Sequence, residues 1–114
     1  MKVNDPRPEA ETETAAIELV EVGARDGLQN EKELILTADK VGLITRCIEA
    51  GARRLEVASF VNPRRVPQMA DAEDVIAALP ARPDVTYIGL VLNERGAERA
   101  LATSVQELGA VAIA

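Results

Sequence analysis

The five residues Arg25-Asp26-Gly27-Leu28-Gln29 put a guanidinium, a carboxylate and a carboxamide directly after the aliphatic run AIELVEVG. Asp26 and Gln29 offer oxygen donors of the kind that a hard divalent cation, Mg2+ or Mn2+, accepts. Asp-Gly is also a strong turn signal, and a turn is the commoner reason for finding it. Arg25 could stabilise an oxyanion that develops during a reaction, or it could pair with an ordinary neighbouring carboxylate. Glu21 and Glu56 place charge inside aliphatic runs, where a carboxylate is costly unless it is paired. Arg25 shares the parity of Glu21, so the two can face one side of an extended segment. One expectation is a buried Glu–Arg network lining a site. The other is that either glutamate faces a helix and reaches solvent.

Two more polar clusters follow apolar runs. Ser59 lies at the end of RRLEVASF, Asn62, Arg64 and Arg65 come after it, and Asn93 comes after VTYIGLVL. The arginine pairs Arg53-Arg54 and Arg64-Arg65 have the chemistry to meet phosphates, although a solvated surface is the commoner use of such pairs. Cys47 falls beside an apolar helical stripe and reads as a small packed residue. The chain contains no histidine, the commonest metal ligand and general base. A site here must use carboxylates, arginine and amides, or be completed by other residues.

The elements that must position these groups alternate. Strands are expected at 16–23, 53–60, 85–92 and 109–114, each rich in Val, Ile or Leu and short. Helices are expected between them. Thr37 is the expected N-cap of the first, with Val41, Ile44 and Ile48 as its apolar stripe and Gly51 as its stop. Asp71 is the expected cap of AEDVIAAL, which Pro80 ends, and Asn93 that of ERGAERALAT, with Ala97, Ala100 and Leu101 on one face. The strand ends lie about 30–40 residues apart, the length of a βαβ unit. The order βαβαβαβ implies an α/β protein with a parallel sheet. Sites in such folds gather beyond the carboxyl ends of the strands, where the polar clusters lie. A complete (β/α)8 barrel takes ~250 residues. This chain of 114 residues is therefore expected to hold the first three to four βα units of a truncated barrel, residues 15–114, behind a flexible acidic leader at 1–14.

Composition excludes several classes. The net charge is −6 and the only aromatics are Phe60 and Tyr87, which argues against nucleic acid as a partner. No apolar run approaches the ~20 residues of a membrane helix, and the N-terminus lacks a signal-peptide pattern. A single cysteine fits a reducing, cytoplasmic setting.

The segments VEVGARDGLQNEK and LEVASFVNPRRVPQM together resemble the 3-hydroxy-3-methylglutaryl-CoA lyases, within the metal-dependent TIM-barrel lyases and Claisen-type synthases. The group shares an Arg-Asp-Gly-x-Gln motif after its first strand, here Arg25 to Gln29. The synthases tend to carry Glu before the Gln, so Leu28 is lyase-like. The resemblance covers nearly all of residues 16–114. It implies cleavage of 3-hydroxy-3-methylglutaryl-CoA to acetoacetate and acetyl-CoA, as in leucine degradation and ketone-body formation. By similarity, Asp26 would be a ligand of a divalent cation and Arg25 would neutralise the thioester enolate. Glu56 matches an active-site glutamate, Gln29 and Ser59 would lie at the substrate, and Glu21 would support them. The acyl-CoA substrate would be the partner, within a homodimer, and Arg64 and Arg65 are candidates for the CoA phosphates. The group completes its metal site with a His-x-His pair and an asparagine, and uses a cysteine on a late loop. This chain has no histidine, and three to four units cannot close a barrel, so alone it is expected to be inactive and poorly folded. The alternatives are a related acyl-CoA lyase, a Claisen-type synthase, or a non-catalytic half-barrel assembly protein.

Overall fold

The computed structural model describes residues 17–111. The expected leader at 1–14 and the last residues of the expected strand 109–114 lie outside that range. Helix α1 spans Thr37–Glu49, strand β1 Arg54–Ser59, helix α2 Ala72–Ala78, strand β2 Thr86–Val91, helix α3 Glu94–Leu101 and strand β3 Glu107–Ala110. The strands form one sheet in the order β1-β2-β3, every pair parallel. This is the α/β arrangement expected from the alternation of runs. No helix among the described residues is long and apolar enough to cross a membrane.

Burial explains why these segments fold as they do. Leu55 and Val57 of β1, Tyr87 and Val91 of β2, and Ile44 and Ile48 of α1 meet in one core with Val75 and Ile76 of α2. The expected stripe of α1 is therefore its packed face, with Val41 partly buried against the same core. Gly51 follows the helix at φ +113°, a left-handed conformation that favours glycine and closes the helix end. Phe60, 1% exposed, sits so close to α3 that a Cβ on Gly96 would lie 2.4 Å from the Phe60 carbonyl oxygen. Only a glycine admits that approach.

Several expectations are corrected. The run 16–23 does not form a strand among the described residues. Only Glu21 bridges Leu55 in parallel, through Glu21 N–H to the Arg54 carbonyl and Glu56 N–H to the Glu21 carbonyl, both 2.9 Å. Ile17 and Leu19 are 82% and 85% exposed, so burial does not hold the neighbouring residues in a ladder. Strand β3 starts at Glu107 rather than at Gly109. Its polar start is held by Arg54, whose guanidinium donates to Glu107 at 2.5 Å, and by Gln106, whose Oε1 accepts from Tyr87 N–H at 2.9 Å. Neither expected cap forms: Leu36, not Thr37, takes the N-cap position of α1, and Asp71 stands at the N-cap of α2 without capping by side chain; the two side chains bond each other instead, Thr37 Oγ1 donating to Asp71 Oδ2 at 2.6 Å. Asn93 does cap α3, accepting from Gly96 N–H at 2.8 Å. Leu101 is exposed, and Gly96 and Ala100 make the buried face of α3 instead.

Candidate active site

The Arg25 motif is a single wide turn. Residues Gly23–Gly27 form a π-helical turn, with Asp26 N–H donating to the Val22 carbonyl at 2.7 Å. Such turns are rare and frequent at functional sites. Glu21 folds back on it, its carboxylate accepting from Gly23 N–H at 2.7 Å. Asn30 closes the far side, donating to the Asp26 carbonyl at 2.9 Å.

This turn lies against the edge of β1. Arg25 Nε donates to Glu56 Oε1, and the two side chains are only 18% and 15% exposed. Here the expected buried Glu–Arg network exists, but with a different glutamate. Glu21 is exposed and serves the turn backbone, while Glu56 takes the guanidinium. Parity failed as a guide because the chain leaves its extended path at Gly23. One strand end further on, Ser59 is fully buried and its hydroxyl donates to Gln29 Oε1 at 3.0 Å. Between Glu56 and Ala58 the β1–β2 register slips. Such a bulge re-aims side chains near a strand end. Four of the expected residues, Arg25, Glu56, Gln29 and Ser59, are thus joined in two contacts at the carboxyl half of β1.

Asp26 stands apart from them. Its side chain is 58% exposed, with Oδ1 3.6 Å from an Arg25 nitrogen. No group of three or more His, Cys, Asp or Glu side chains able to hold a metal occurs among the described residues. Asp26 can donate one oxygen to a cation, and the nearby Glu56 carboxylate is taken by Arg25. The described residues alone do not make a cation site.

The arginine pairs separate. Arg53 and Arg54 lie at the opposite end of β1, paired with Asp84 at 3.4 Å and Glu107 at 2.5 Å, and so do not serve the site. Arg64 and Arg65 are exposed. Arg64 lines a cleft of about 580 Å³ beside Phe60, Asn62, Asn93, Arg95 and Arg99, and Arg65 does not. Arg99 is held by Glu73 through two contacts of 2.8 Å, stacks over the Phe60 ring and donates to the Val61 carbonyl. The Arg99 hydrogen bonds hold the Glu73 carboxyl below its ordinary range. Cys47 packs on the core as expected. Burial, and then the Glu21 charge, push its thiol pKa up, away from a nucleophile's.

Sequence reasoning missed a buried lysine. Lys40 is 3% exposed and its ammonium donates to Asp71 Oδ1 at 2.6 Å and to the Gln68 carbonyl. The signal was present: Lys40, Ile44 and Ile48 share one helical face at intervals of four, so a charge stands at a core position.

No protein-family model matches the chain. A 3-hydroxy-3-isohexenylglutaryl-CoA/hydroxymethylglutaryl-CoA lyase of Pseudomonas aeruginosa is 49% identical over 98 residues, 86% of this chain and 33% of that protein. The human mitochondrial hydroxymethylglutaryl-CoA lyase is 42% identical over 92 residues, 81% of this chain and 28% of its own length. The crystal structure of the Pseudomonas aeruginosa hydroxymethylglutaryl-CoA lyase aligns with a TM-score of 0.79 at 49% identity, over 82% of this chain and 31% of that one. An Acinetobacter baumannii HMG-CoA lyase in complex with coenzyme A and 3-methylmalate aligns with the same score of 0.79 at 36% identity, over 82% of this chain and 30% of that one. These lyases are TIM barrels. Over most of its own length, this chain is therefore homologous to the hydroxymethylglutaryl-CoA lyases, and it spans about a third of the length of those it matches.

Proposed function

We propose that the intact protein carrying this sequence cleaves 3-hydroxy-3-methylglutaryl-CoA to acetoacetate and acetyl-CoA. The observation that carries this reading is the Arg25–Glu56 pair, next to the Gln29–Ser59 contact, in a chain homologous to such lyases. Loss of the proton from the tertiary hydroxyl sends its electron pair into a new carbonyl. The bond between the hydroxyl-bearing carbon and the α-carbon of the thioester breaks as that carbonyl forms, and the released pair rests on the acetyl thioester as an enolate until it takes a proton. Arg25 is the group in this chain suited to that developing charge. Glu56 fixes the guanidinium plane, and the buried Ser59 fixes Gln29 for contact with the substrate. Asp26 would contribute one oxygen ligand to a divalent cation, Mg2+ or Mn2+. When bound, such an ion supplies polarisation of the substrate oxygens. Arg64, at the mouth of the neighbouring cleft, is a candidate contact for the CoA phosphates.

The test is acetoacetate release by the purified intact protein, stripped of metal and then given Mg2+ or Mn2+. Arg25→Gln is expected to lower kcat by about 100-fold or more, the scale of losing one oxyanion-stabilising donor. Absence of acetoacetate from the unaltered protein overturns the proposal. A second reading is favoured by the double name of the Pseudomonas aeruginosa relative: the substrate carries a longer isohexenyl branch. Comparing kcat/KM for the two acyl-CoA esters decides between them.

A further inference from the structure

Lys40 sits on the packed face of α1, yet it carries a charge. Its side chain is 4% exposed and that of Asp71 22%. Taking such a pair out of water is expensive, and an apolar side chain would join α1 to its neighbour at lower cost. The contacts show what the charge does that an apolar group cannot. Lys40 Nζ donates both to the Asp71 carboxylate at 2.6 Å and to the Gln68 carbonyl. Thr37 Oγ1 donates to the other Asp71 oxygen at 2.6 Å. Gln68 in turn extends its side-chain amide to the Glu31 carbonyl at 2.7 Å. Met69, beside it, is 2% exposed and anchors the same loop in the core.

These bonds form a chain with a direction. It begins in α1, fixes the loop between β1 and α2 at Gln68 and Asp71, and reaches Glu31, two residues beyond Gln29. The two segments so joined are those that carry the candidate site. The first holds Arg25, Asp26 and Gln29, and the second follows Ser59 at the end of β1. At the site itself the first segment is held to β1 by the Arg25–Glu56 pair and the Gln29–Ser59 bond.

We propose that Lys40 and Asp71, acting through Gln68, are positioning residues that hold the turn carrying Arg25 and Gln29 in register with the loop that follows β1. The inference rests on the lyase reading for its consequence in catalysis, and on geometry alone for its consequence in the two segments. A displacement of about 1 Å in a positioned group can cost 100-fold in rate.

The experiment compares the intact protein with Lys40→Met/Asp71→Leu, which removes both charges together, and with Gln68→Ala, which spares the core. Amide hydrogen exchange reports local opening without substrate. The double variant is expected to exchange at least tenfold faster over residues 26–31 and 62–70, with β1 and β2 unchanged. Gln68→Ala is expected to loosen 26–31 and leave 62–70 protected. A uniform rise, or no change in either variant, overturns the proposal. Where the unaltered protein shows lyase turnover, Gln68→Ala is expected to lower kcat at least tenfold with KM altered less than twofold. A kcat equal to that of the unaltered protein also overturns it. Should the unaltered protein lack lyase activity, the function proposed above fails, and the exchange pattern still decides the role of Lys40 and Asp71.

Discussion

At the scale of single residues, the site is a set of exchanges between polar groups with few alternatives. Arg25 and Glu56 are both mostly removed from water, so each makes the other tolerable there. Ser59 is fully buried, and its hydroxyl has Gln29 as its acceptor at 3.0 Å. Ser59→Ala deletes that donor and leaves the half-buried Gln29 to find water. The expected loss of stability is about 1 kcal/mol, the net worth of one such hydrogen bond. On the proposed function, KM for the acyl-CoA should rise as Gln29 loses its orientation. Thermal melting and steady-state kinetics check the two halves, and an unchanged KM removes Gln29 from the substrate. These residues were legible in the sequence by type and place: a carboxylate at 56 inside an aliphatic run has to be paired. Which partner it takes was not legible. The parity rule pointed to Glu21, and it applies only while the chain stays extended. The π-helical turn at Gly23 ends that condition.

At the scale of elements, the order of strands and helices followed from the spacing of apolar runs, and the strand ends β1 and β2 fell within a residue of expectation. The two capping errors go together. Thr37 and Asp71 are good caps by type, but α1 starts one residue early, with Leu36 at its N-cap, and the Asp71 carboxylate is taken by the Thr37 hydroxyl and the Lys40 ammonium. Asn93 has no such rival contact among the described residues, and it caps. The α3 helix is tied to α2 by Glu73 and Arg99. That pair makes stability depend on pH. Glu73 is held below its ordinary value of 4.5, first by the hydrogen bonds from Arg99. A folded-state pKa below the unfolded one means that the contribution is present above the ordinary carboxylate range. It is lost as pH falls through the folded value. The side chain is 43% exposed, so solvent screens the pair and the effect is modest. Melting curves of the unaltered protein and Glu73→Gln should differ at neutral pH, begin to approach each other below 4.5, and converge once pH has fallen through the lower folded value. A gap that persists in acid would show that packing, not charge, separates them.

At the scale of the molecule, two facts bear on what residues 1–114 do as an isolated polypeptide. The first is chemical. The chain has no histidine, and its described residues contain no metal-holding cluster. Asp26 is a single ligand, and one exposed carboxylate does not retain a hard cation against water. The second is physical. Ile17, Leu19 and Leu101 are 82%, 85% and 76% exposed, and the 17–22 segment meets the sheet through one backbone bridge at Glu21 and the Glu18–Arg54 ion pair. Exposed side chains of this size in a described body of three strands favour association. The 114-residue polypeptide made alone is therefore expected to show no lyase turnover, with or without added Mg2+ or Mn2+, and to self-associate as its concentration rises. Ile17→Ser/Leu19→Ser should weaken that association without lowering the melting temperature, because neither side chain is buried in the core. Sedimentation velocity across a concentration series, beside an acetoacetate assay, tests both points. Turnover by this polypeptide would require ligands other than histidine to hold the cation, and would move the search for them to the carboxylates around Asp26. A monomer at every concentration would mean that the apolar segment at 17–22 folds back onto its own sheet, converting the single bridge at Glu21 into a full fourth strand.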